Sequence, residues 1–65
     1  MKVKQIFEHL NLLITDETEI IIRDPEMITL AKGNWFQDNI LKYSDSMVES
    51  FVWQDDHKFF IDLKE

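Results

Sequence analysis

Cysteine is absent from these 65 residues, which excludes disulfides and thiolate metal sites. Glycine, proline and alanine each occur once, as Gly33, Pro25 and Ala31. A single glycine rules out the glycine-rich loops that cradle phosphates, and no nucleophile elbow or zinc signature is present. No apolar run is long enough to cross a bilayer. The start Met1-Lys2-Val3-Lys4 is basic, but polar residues soon interrupt the segment after it, so no signal peptide is expected. The missing cysteine fits a reducing, cytoplasmic location.

Basic residues are also scarce. Seven face thirteen acidic ones, for a formal net charge of −6. Such a field repels nucleic-acid phosphates and anionic lipid, so neither direct nucleic-acid binding nor a membrane partner is expected. It steers a cationic partner in, and it is equally compatible with solubility alone. The length makes one small globular domain over residues 1–65. A core of this size supplies only ~3–5 kcal/mol unless a metal, a disulfide or a second subunit helps. Hydrophobic content is 45%, ordinary for a folded chain rather than a disordered one.

What is present reads as six elements. Val3, Ile6, Phe7, Leu10, Leu13 and Ile14 follow helical spacing, which predicts a helix from about Lys2 to Leu12. Thr18 to Arg23 is β-branched and predicts a strand, with Ile20 and Ile22 on one face and Glu19, Ile21 and Arg23 on the other. Asp24-Pro25-Glu26 is a turn signal, and Met27 to Lys32 is the returning strand. Asn34, with Gln37 three residues on, resembles a capping box for a short helix carrying Phe36, Ile40 and Tyr43 on one face. Met47 to Gln54 and Lys58 to Leu63 are two further strands joined at Asp55-Asp56-His57. The order α-β-β-α-β-β predicts an α+β fold: a four-stranded, mainly antiparallel sheet with two helices on one face.

Little in this pattern suggests catalysis. A sheet under two short helices leaves little room for a water-excluding pocket. His9 lies beside the apolar face of the first helix, and His57 lies beside Asp55 and Asp56. A histidine with carboxylates can bind a divalent cation, but this cluster lacks a ligand spacing and reads as a surface turn. No catalytic residue, metal site or cofactor is expected, and the chain is not read as an enzyme.

The informative feature is apolar excess. A sheet covered on one face should alternate apolar and polar side chains. Here Ile21 opposes Ile20 and Ile22, Phe51 and Trp53 oppose Val48 and Val52, and Phe60 opposes Phe59, Ile61 and Leu63. Ile21, Phe51, Trp53 and Phe60 are therefore expected to share the uncovered face. Two readings stand: long side chains that cover one another, or a patch covered by a second subunit or a target. Aromatic anchors and the small core favour the second. Asp16, Glu17 and Glu19, with Asp55 and Asp56, are the acidic edges that would meet a basic surface.

The helix Val3-Lys4-Gln5-Ile6-Phe7-Glu8-His9-Leu10, an Ile-rich strand ending in Arg23-Asp24, the short helix Asp38-Asn39-Ile40-Leu41, the strand Met47-Val48-Glu49-Ser50-Phe51-Val52 and a closing hairpin around Asp55-Asp56 form a whole-chain pattern. The pattern resembles small accessory proteins of phages and prophages in low-GC Gram-positive bacteria. That resemblance implies the α+β order above and no particular activity. By analogy of size and charge with small acidic inhibitors of host defence, the expected function is a non-enzymatic protein-binding module that occludes a host protein, such as one handling nucleic acid. The alternative is a homodimeric structural or regulatory accessory protein with no inhibitory role.

Overall fold

A computed structural model describes residues 1–65. The chain runs α1 (Val3–His9), β1 (Glu19–Arg23), β2 (Thr29–Gly33), α2 (Asp38–Leu41), β3 (Val48–Asp55) and β4 (Lys58–Leu63). This is the expected α+β order. Both helices are shorter than their sequence patterns suggest. α1 stops at His9 and continues as turns, and α2 begins at Asp38 rather than just after Asn34. Gln37 Oε1 does accept the Asn34 N–H at 2.7 Å. The Asn34 side chain donates instead to the carbonyls of Asp16 and Thr18. Only half of the capping box forms, and Phe36 stays exposed ahead of the helix.

The sheet order is β2-β1-β4-β3. β1 and β4 lie parallel at the centre, and β2 and β3 pair antiparallel at the edges. The central strands are covered on both faces, with Ile21 buried and Phe60 half-buried on the side away from the helices, which matches the near-continuous apolar runs Ile20-Ile21-Ile22 and Phe59-Phe60-Ile61. The register sets Ile20 beside Phe59 and Ile22 beside Ile61. Val3 and Ile6 of α1 and Ile40 of α2 close over these four side chains, so both helices cover the same face. Phe59, Ile20, Ile22, Ile61, Ile6, Ile40 and Val3 are fully buried, each worth ~1.5–3 kcal/mol relative to exposure.

β3 departs from regular alternation. A plain two-residue turn closing on the Asp55–Lys58 pair would set Trp53 opposite Phe60. A bulge between Trp53 and Asp55 shifts the ladder, so Trp53 pairs with Phe59, Val52 with Phe60 and Phe51 with Ile61. A second shift brings Val48 opposite Leu63. One extra residue moves every following side chain to the other face. The expected grouping of Ile21, Phe51, Trp53 and Phe60 is thereby divided. Phe51 and Trp53 stand on the helix-covered face, and Ile21 and Phe60 stand on the open one.

Tertiary contacts organise the N-terminus. The first free N–H groups of α1, on Val3 and Lys4, donate to the carbonyls of Ser46 and Ser44 at 3.1 and 3.0 Å, a role that capping side chains usually fill. Gln5 Oε1 accepts the Lys2 N–H at 2.7 Å. Val48 N–H donates to the Met1 carbonyl at 2.8 Å, and Lys2 bridges to Met47. The Lys4 ammonium lies 3.0 Å from Asp45 and that of Lys2 lies 3.9 Å from it. The hydrogen bond from Lys4, with the charges of Lys4 and Lys2, holds the Asp45 carboxyl below the ordinary aspartate value. A depressed carboxyl pKa favours the folded state above the unfolded value, and that contribution is lost as the pH falls through the folded one. The Asp45 side chain is largely exposed, so this tether is screened by salt.

The β1–β2 connection is a turn followed by a left-handed residue. Asp24 carbonyl accepts the Met27 N–H at 2.8 Å, and Asp24 Oδ1 accepts the N–H groups of Glu26 and Ile28 at 2.9 Å each. Met27 sits at φ 67°, where a side chain costs roughly 1–2 kcal/mol that glycine avoids. Gly33 does occupy a site that favours glycine, because its φ of 156° is one that L side chains rarely adopt. Met27→Gly should therefore raise stability in urea denaturation by about 0.5–1 kcal/mol, the strain relief less the greater unfolded-state entropy of glycine. A loss of stability would mean that the Met27 side chain packs usefully.

Candidate interaction surface

The open sheet face is built in three cross-strand rows. Glu19, Lys58 and Asp55 form the first, Lys32, Ile21, Phe60 and Val52 the second, and Thr29, Arg23, Asp62 and Ser50 the third. Arg23 and Asp62 meet as a fork, with Nε–Oδ1 at 2.6 Å and Nη2–Oδ2 at 3.0 Å. Their side chains are only 19% and 14% exposed. The Ser50 hydroxyl lies 3.3 Å from Asp62 Oδ2. The Arg23 guanidinium also lies 4.4 Å above the Phe60 ring, a favourable placement of a cation on an aromatic face.

These contacts close most of the open face without a second chain. Ile21 is 5% exposed and Phe60 is half-buried. The face is also balanced in charge, with Glu19, Asp55 and Asp62 against Arg23, Lys32 and Lys58. The whole net charge of −6 therefore resides on the other surfaces.

The other two predicted aromatics stack on the core. The Trp53 ring lies 4.7 Å from that of Phe59, and the Phe51 ring lies 5.6 Å from it. Trp53 is half-buried, whereas Phe51 remains 43% exposed because the helices end short of it. On the other face of the same strand, Val52 is 52% exposed. Phe51 and Val52 thus leave apolar surface exposed on both faces of β3. Unbroken alternation would have put Val52 on the core side, and its exposure comes from the same bulge that buries Trp53.

The five acidic residues singled out in the sequence come together at one end of the sheet. Glu19 N–H donates to the His57 carbonyl at 2.6 Å, which joins the loop carrying Asp16 and Glu17 to the β3–β4 turn. Asp55 Oδ1 holds that turn by accepting the N–H groups of His57 and Lys58 at 2.7 and 2.9 Å. Asp16 Oδ1 accepts the Trp35 indole N–H at 3.3 Å. Beside them, a shallow hollow is lined by Leu13, Trp53, Asp55 and Asp56. This end combines carboxylates with two tryptophans, a chemistry suited to lysine or arginine side chains. Nothing in the sequence singles out Trp35 or Leu13 as contact residues. Trp35 lies in the irregular stretch before α2, where no periodicity assigns a face.

No family model matches the chain, and neither does any curated protein or solved structure. No helix is long and apolar enough to cross a membrane. No group of three or more His, Asp or Glu side chains is placed to hold a metal ion.

The Arg23–Asp62 fork gives a direct check on how the open face is closed. Asp62→Ala leaves a largely buried guanidinium without its partner, and should cost about 1.5–3 kcal/mol in denaturant unfolding. A change within about 0.5 kcal/mol would place the pair with ordinary surface substitutions.

Proposed function

We propose that this chain is a non-enzymatic protein-binding module of a phage or mobile element, acting by occluding a host protein through a basic surface. The observation that carries the reading is the acidic end of the sheet, where Asp16, Glu17, Glu19, Asp55 and Asp56 flank Trp35, Trp53 and Leu13. Glu17 and Asp56, whose carboxylates the fold leaves without a hydrogen bond, stand with exposed Trp35 and Leu13 as what a partner rich in Lys or Arg would engage. Proteins that handle nucleic acid carry such surfaces, and an acidic competitor would sit where phosphates otherwise bind. A host protein held in this way would be blocked without chemistry.

Glu17 and Asp56 are the acidic positions to reverse, because their carboxylates hold no turn, whereas Asp55 and Asp16 accept hydrogen bonds. Immobilised protein should retain a partner from the lysate of a low-GC Gram-positive bacterium and release it as salt rises, since screening acts within about 8 Å at physiological ionic strength. Glu17→Lys with Asp56→Lys should slow association more than dissociation in a surface-binding measurement. Retention that ignores both salt and the double substitution would contradict the proposal and leave the acidic charge as a solubility device.

A further inference from the structure

We infer that the outer edge of β3 is a strand-addition site, and that its occupant is an extended peptide segment of another protein, apolar in the middle and basic at both ends. The inference rests on the reading of a basic partner above and names the form in which that partner is held.

The two edges of the sheet differ. β2 has five residues, a bulge between the partners of Ile22 and Arg23, and a lysine, Lys32. The Asn39 side chain donates to the Lys32 carbonyl at 3.0 Å. Short length, a bulge, lysine and a side-chain cap are the means by which edges are blunted. β3 has eight residues, with neither lysine nor proline among them, and its two irregularities fall toward its ends, between Val48 and Ser50 and between Trp53 and Asp55, leaving Ser50 to Trp53 regular. Met1 and Lys2 run beside Met47 and Val48 and close the start of this edge. From Glu49 to Asp55 no element of the chain lies alongside it.

That open stretch offers what an added strand needs. An edge strand presents unpaired N–H and C=O groups outward. Phe51 and Val52, 43% and 52% exposed, flank the edge on opposite faces and would pack on alternate side chains of an added strand. Glu49 stands at one end of the stretch and Asp55 with Asp56 at the other, about 20 Å apart at the usual rise of a strand. An incoming strand with Lys or Arg at each end meets a carboxylate at each end, in either direction.

A second copy of this chain fits the edge poorly. A two-fold axis through Val52, the middle of the open stretch, would use its whole length and bring Phe51 against Trp53. It would also set Glu49 of each copy opposite Asp55 of the other, and like charges directly opposed are destabilising. Both copies carry −6 besides.

The probe is the synthetic peptide Lys-Val-Thr-Val-Thr-Val-Lys, titrated against the full chain and followed by tryptophan fluorescence and NMR amide shifts. Two controls accompany it: a Glu-flanked version, and a version methylated on alternate backbone nitrogens. Binding of the Lys-flanked peptide, with shifts from Glu49 to Asp55 and affinity lowered at least about tenfold by Val52→Lys or by backbone methylation, is the expected result. Circular dichroism on Val52→Lys confirms that the variant is folded. The absence of binding to wild-type protein would overturn the inference. Binding that survives Val52→Lys and backbone methylation, yet falls with salt, would overturn strand addition while leaving the basic-partner reading intact. Concentration-dependent dimers in analytical ultracentrifugation, abolished by Val52→Lys, would assign the edge to a second copy and overturn it as well.

Discussion

Helices of seven and four residues have to cover a sheet of four strands, and most of the structure is a consequence of that shortage. At 1.5 Å per residue the helices are about 10 and 6 Å long. Four strands spaced by about 4.8 Å span roughly 14 Å across, and an eight-residue strand runs about 26 Å along. Val3, Ile6 and Ile40 therefore close over the two central strands, where Ile20, Ile22, Phe59 and Ile61 collect. The strand farthest from β2 is left partly bare. The sheet itself makes up some of the deficit: Trp53 and Phe51 lean on Phe59 from the edge. On the other face, Arg23 covers Phe60 while bound to Asp62.

That division of labour separates structural from displayed side chains. Phe60 and Ile21 are held by the fold, so a partner gains little from them and their loss would be felt as instability, whereas half-buried Trp53 both leans on Phe59 and lines the hollow beside Asp55 and Asp56. Phe51 and Val52 are displayed, as are Trp35 and the acidic side chains around Asp56. The open face, balanced in charge and closed by its own side chains, is a poor candidate for a broad interface. The acidic end and the β3 edge adjoin each other at Asp55, so one extended basic partner would meet both.

The order of elements and the facing of β1 and β4 were legible in the sequence, because Ile20 with Ile22, and Phe59 with Ile61 and Leu63, recur at period two and no bulge interrupts the pairing of these strands. Glu19, Ile21 and Arg23 do share a face, as that alternation implies. What was not legible was the facing of β3 relative to β4. The facing of Phe51 and Trp53 depends on the bulge between Trp53 and Asp55, and that of Val48 on a second before Ser50, and no glycine or proline marks either. α1 is shorter than its pattern because apolar periodicity persists through Leu10, Leu13 and Ile14 after the helix has given way to turns. Ile14 still reaches the core by that route, and Leu13 does not. The gathering of Asp16, Glu17, Glu19, Asp55 and Asp56 could not be read either, since it requires β4 to lie parallel beside β1.

The central claim is that β1 and β4 form the protected middle of the sheet while β3 keeps a free outer edge from Glu49 to Asp55. Amide hydrogen exchange resolved by NMR tests it residue by residue. Slowest exchange is predicted for the β1 and β4 amides of Ile20, Ile22, Phe59 and Ile61. Slow and fast amides should alternate along β3, because only every second N–H of an edge strand faces its neighbour. Uniform strong protection along β3 in a dilute, monomeric sample would contradict the claim, because the outer edge would then already be occupied.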